Sequence, residues 1–125
     1  MKKALLIIAC MAFALSAQAV DFMTIRNNKE KMTSMQWEPF KKQCIGQMVY
    51  WSGWVDEVKA SGGRYKVLVD MDAPDALSVF DVTVYVSESQ AMSLSKDQRV
   101  SVSGRIKSIG TFLGMNITLD DAVVN

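Results

Sequence analysis

Gly46-Gln47-Met48-Val49-Tyr50-Trp51-Ser52-Gly53-Trp54-Val55-Asp56-Glu57-Val58 is the stretch on which the fold turns. It alternates. Val49, Trp51, Gly53 and Val55 point to one side, and Met48, Tyr50, Ser52 and Trp54 to the other. β-branched and aromatic residues suit a pleated, half-buried surface, so the stretch reads as a long strand with its odd-numbered residues inward. A one-residue slip at Gly53 would exchange Trp51 and Trp54 between the faces. A glycine in mid-strand marks a bend or a close backbone approach. A long strand bent at a glycine is what a small closed barrel requires, because a flat strand cannot wrap around its own core.

Four more strand patterns follow. Lys59-Ala60-Ser61-Gly62-Gly63 reads as a turn into a second strand, Arg64 to Met71. Tyr65, Val67, Val69 and Met71 share one face of it, and Arg64, Lys66, Leu68 and Asp70 the other. The loop Asp72 to Ala76 carries a proline and leads to a third strand near Val79–Val86. Ser87 caps a short helix, with Gln90 completing a capping-box pattern. A fourth strand runs from Arg99 to Ile109, with Val100, Val102, Gly104 and Ile106 inward. The fifth is Met115 to Leu119, which Val123 and Val124 extend after a break at Asp120-Asp121. Five strands with the only internal helix between the third and fourth is the order of an OB-fold barrel, a mainly β architecture.

The start of the chain has a different composition. Met1-Lys2-Lys3 is basic, Ala4 to Leu15 is apolar, and Ser16-Ala17-Gln18-Ala19 ends in an A-x-A pattern. This predicts a signal peptide over 1–19, because the apolar run is shorter than the roughly 20 residues of a membrane span. The expected location is the periplasm. Ile7-Ile8-Ala9-Cys10 resembles a lipoprotein cleavage box, but a second apolar run and a better cleavage site follow it, so anchoring at Cys10 is not the reading adopted. Residues 20–44 form a lead-in and an N-terminal helix ahead of a domain over 45–125. Val20 to Lys31 is polar, either an exposed helix or a mobile lead-in. Thr33 with Gln36 gives a capping box, and Trp37, Phe40 and Cys44 fall on one helical face that plugs one end of the core. Pro39 is expected to kink or shorten this helix. Cys44, the sole cysteine after the leader, is either a buried apolar residue or a free thiol.

Gly46 to Val58, Tyr65-Lys66-Val67-Leu68-Val69, Leu94 to Ile106 and Ile117 to Ala122 together resemble the small exported OB-fold proteins grouped with the tRNA-anticodon-like and bacterial OB-fold families. The resemblance implies binding of a ligand, a nucleic acid or a protein. A related exported group binds copper(I) through a histidine, methionines and a stacking tryptophan. This chain has no histidine, and its methionines Met48, Met71, Met92 and Met115 fall on separate elements, so no metal site and no cofactor are expected.

Function is therefore sought on the exposed face. The chain is nearly neutral, with 14 basic and 13 acidic residues, which does not point to a polyanion binder. An enzyme is not expected. Histidine is absent, and the aspartates around Asp70, Asp72 and Asp75 lack the spacing and glycine of a calcium loop. OB-folds bind through the outer face of the first three strands. There Tyr50, Trp54, Arg64, Lys66 and Tyr85 form the expected binding patch, with Ser52, Leu68 and Thr83 beside them. Such a patch suits a protein hot spot or an envelope component, and alternatively the stacked bases of a single-stranded nucleic acid. A third possibility is that the N-terminal helix covers it.

Overall fold

The structure, a computed structural model, describes residues 20–72, 81–111 and 114–125. The leader reading, Asp75 and the start of the third strand lie outside these. The elements are helices α1 (Phe22–Lys31) and α2 (Ser34–Cys44), strands β1 (Met48–Ser61), β2 (Arg64–Asp70) and β3 (Val82–Val86), helix α3 (Glu88–Ser93), and strands β4 (Arg99–Gly110) and β5 (Asn116–Val124). The strands close into a barrel in the order β1-β2-β3-β5-β4. All neighbours are antiparallel except β3 and β5, which run parallel. With α3 between β3 and β4, this is the OB-fold order predicted above. Among the described residues no helix is long and apolar enough to cross a membrane.

β1 lies in the register its alternation dictates. Val49, Trp51 and Val55 are buried, Tyr50 is 80% exposed, and Trp54 is half-buried. After Val55 the pairing with β2 skips Asp56, so that Glu57 meets Leu68 and Val58 meets Val67. This bulge reverses the alternation and helps β1 to turn from β4 onto β2. Gly62 and Gly63, both with positive φ, make the two-residue turn of the β1–β2 hairpin. The Asp120-Asp121 pair is not a break: β5 runs through it, with Asp121 at a φ of 51°. There Asp121 and Ala122 together stand opposite Gly104, since Arg105 pairs with Asp120 and Ser103 with Val123. Aspartate tolerates that conformation better than most residues, so the strand bulges instead of ending.

The N-terminal segment departs most from expectation. The polar lead-in is helix α1, and Phe22 and Ile25 are among the most buried side chains of the chain. Asp21 caps it by accepting the Thr24 amide at 3.0 Å. The Phe22 ring stands edge-on to Trp51 with centroids 5.8 Å apart, and Trp51 Nε1 donates to the Val20 carbonyl at 3.2 Å. Two apolar residues at i, i+3 were too weak a signal to read as a core helix. α2 carries the predicted Thr33–Gln36 capping box and buries Trp37 and Cys44. Pro39 lies inside α2 without ending it. The carbonyl it leaves unpaired belongs to Met35, an exposed residue that water can reach. Cys44 is a core residue, 1% exposed, and burial pushes its thiol up to about 11, which disfavours the thiolate that would react. At α3 the Ser87 hydroxyl accepts the Gln90 amide, but the Gln90 side chain donates to the Val124 carbonyl and ties the helix to β5. The expected second capping box is therefore only half formed.

Candidate binding surface

Register decides which outward side chains meet. Lys59 pairs with Lys66, and Lys66 pairs with Tyr85 on β3, so these three residues share one outer face across β1, β2 and β3. Arg64 is two residues from Lys66 on the same face, and its guanidinium lies over the Tyr85 ring, 3.9 Å from the centroid. A cation over an aromatic face is held by the ring quadrupole. Among the described residues Lys59, Arg64 and Lys66 have no ion-pair partner. The result is a strip of three cations across β1 and β2 that ends at one aromatic ring on β3.

The other two predicted site residues are elsewhere. Trp54 pairs with Asp70 on β2 and with Arg99 on β4, and Arg99 stacks on its ring at 4.2 Å. Tyr50 has no partner on β2 at all. It pairs with Ser103 on β4 and borders a shallow cleft of about 190 Å³ with Ser52, Ser101 and Asn125. The expected single patch is thus three separate places. β1 is 14 residues long, and it changes neighbour from β4 to β2 at Trp54, so residues of one face at its two ends sit against different strands. Leu68 and Thr83 correct the expectation further. Both alternate outward, yet they are 4% and 6% exposed. They separate the basic strip from the far end of the same face. Arg99 was not singled out from the sequence. Placing β4 beside β1 and matching Gly53 to Val100 would have found it.

That far end is acidic. Asp70, Asp72 and Asp81 gather there, and Arg26 reaches them from α1. Its guanidinium contacts Asp72 Oδ2 and Asp81 Oδ1, each at 3.2 Å. The Asp81 carboxyl also accepts the Met71 amide at 2.8 Å. Burial is the largest influence on Asp81 and, with the nearby Asp70 carboxylate, outweighs Arg26 and the Met71 amide, so its pKa rises from 3.8 to about 6. A carboxyl with a raised folded-state pKa binds its proton more tightly folded than unfolded. Its contribution to stability is therefore full below about pH 4 and is lost as pH rises through about 6. Chemical denaturation of the wild type and of Asp81→Asn across this range is expected to give a difference that changes between pH 4 and 6 and is constant above. A difference flat over the whole range would show that Asp81 titrates normally.

No known protein family's profile matches the chain, and no curated protein sequence does. Solved structures do. An OBody bound to hen egg-white lysozyme is 18% identical, covering 65% of this chain and 78% of its own, with a TM-score of 0.45. A protein from Klebsiella pneumoniae subsp. pneumoniae, provisionally described as a nucleic acid-binding lipoprotein, is 13% identical, covering 91% of this chain and 96% of its own, with a TM-score of 0.48.

Proposed function

We propose that this chain is an exported, non-catalytic binding module that takes a protein or another envelope component on the outer face of β1, β2 and β3. The observation that carries the reading is Arg64 stacked on Tyr85, with Lys66 beside that ring and Lys59 next across the sheet. Arginine and tyrosine are among the residues that most often anchor interfaces, and three cations without an ion-pair partner among the described residues favour an acidic partner segment. Export rests on the pattern of residues 1–19, and the non-catalytic reading on the absence of histidine.

The same strip would suit a single-stranded nucleic acid, with a base on Tyr85 and phosphates on the cations. Capture from an envelope extract separates the two. Protein purified from cells expressing the full chain serves as bait, with Tyr85→Ala and Arg64→Ala as controls and a nuclease-treated arm in parallel. The expected result is a protein or envelope component held by the wild type and bound about 30-fold more weakly by Tyr85→Ala, the scale of a hot-spot residue. Its affinity should fall only modestly with salt. Recovery that vanishes with nuclease, with an affinity falling steeply as salt rises, would promote the nucleic-acid reading. Equal capture by wild type and both variants would remove the strip from the function.

A further inference from the structure

One oxygen from each of Asp70, Asp72 and Asp81 lies within 4.8 Å of the others. A group of carboxylates on a protein surface is ordinary, but Asp70 is not on the surface. It is 2% exposed. Its Oδ1 accepts the Asp72 amide at 2.9 Å, whereas its Oδ2 is enclosed and has no hydrogen-bond partner. A buried carboxylate oxygen left unpaired is costly, and native structures rarely keep one without a use. Against three carboxylates, the only positive charge among the described ion pairs is that of Arg26. With all three carboxylates ionised, charge and lone pairs both remain unmatched.

We infer that Asp70, Asp72 and Asp81 form a calcium site, in which the ion replaces the Arg26 guanidinium between Asp72 and Asp81 and takes the free lone pair of Asp70 Oδ2. The donors are hard oxygens, which suit calcium and magnesium and not softer metals. Ligand number separates those two: magnesium keeps most of its waters and is usually held by one or two carboxylates, whereas calcium takes several oxygen ligands at about 2.3–2.6 Å in a flexible shell. Three carboxylate oxygens within 4.8 Å of one another can share one such ion. Three carboxylates leave several of calcium's six to eight positions to water, so the affinity belongs in the range of extracellular modules, about 0.1–1 mM. The two Asp72 oxygens are also the ones that Arg26 holds, at 3.4 and 3.2 Å. Ion and guanidinium therefore compete, and calcium loosens the tie between α1 and the barrel. This site is independent of the basic strip.

The test is calorimetric titration of calcium chloride, with magnesium chloride in parallel, into chelator-treated protein purified from cells expressing the full chain. Wild type is expected to bind one calcium, and magnesium at least tenfold more weakly. Asp72→Asn, at a side chain that is 57% exposed and tolerant of change, should weaken calcium at least tenfold, as should Asp70→Asn. Arg26→Gln should tighten it several-fold by removing the competing cation. A metal ligand and a merely structural aspartate differ in that last readout. Absence of saturable heat in both wild type and Arg26→Gln at about ten times the expected dissociation constant would overturn the site. So would an unchanged affinity in Asp72→Asn, or equal binding of the two ions.

Discussion

Gly53→Ala is expected to destabilise the barrel by about 2–3 kcal/mol, the upper part of the usual range for forcing atoms into a packed interior. In a domain of this size that is a fall of roughly 10 °C or more in Tm. An added Cβ would stand 2.7 Å from the Asp70 carbonyl oxygen and 2.8 Å from Val69 Cγ1. The valine methyl could rotate, but the carbonyl belongs to β2 and moves only if the strand does. The backbone conformation at Gly53 is an ordinary one, so the cost is steric. Gly110→Ala is the matched control. Its Cβ would meet only the Asn116 carbonyl, at 3.6 Å, an ordinary contact, and its effect should stay within about 0.5 kcal/mol. Thermal melts of the two variants settle the matter. If Gly53→Ala proves as mild as Gly110→Ala, the strands do not approach as closely as described.

Trp51→Ala should cost more, about 3–5 kcal/mol, as removal of a large buried aromatic does. Trp51 is 5% exposed. It packs edge-on against Phe22 and holds the Val20 carbonyl through Nε1. Its loss therefore empties part of the core and cuts the tie between the barrel and α1 at once. Hydrogen exchange is expected to show α1 amides losing protection beyond the global loss. Trp51→Phe keeps a ring beside Phe22 and loses the N–H, so it should cost much less than the alanine variant, about 1–2 kcal/mol. A variant in which α1 stayed as protected as in the wild type, relative to the barrel, would mean that Phe22 and Ile25 seat the helix without help from Trp51.

The inward and outward faces of β1 could be read from sequence, because a period of two repeated over eight residues leaves two registers and the valines choose between them. The glycines at 53 and 104 were readable for the same reason. α1 was not. Its buried stripe is two residues within a polar helix, and only packing into the barrel's core, against Trp51 among others, explains why Phe22 and Ile25 are there. The binding face was partly legible. Alternation gave the outward direction of Tyr50, Trp54, Lys66 and Tyr85, but which of them are neighbours depends on pairing between strands far apart in sequence. The Arg99–Trp54 contact and the convergence of Asp81 on Asp70 are products of that pairing. No local pattern records them.

The parallel seam between β3 and β5 bears on the order in which the molecule assembles. β1 and β2 can zip from their two-glycine turn, a local event on the scale of microseconds. The seam has no such shortcut, since α3 and the whole of β4 intervene between its strands and the loop must be closed before any of its bonds form. Closure of the barrel is thus the late step. Until it happens, β3 and β5 each offer an unsatisfied edge to any other extended chain nearby. The β1–β4 pairing joins residues still farther apart in sequence, so for a newly made chain the interval in which its own copies can pair with an open edge is set by how quickly both of these long-range seams are sealed.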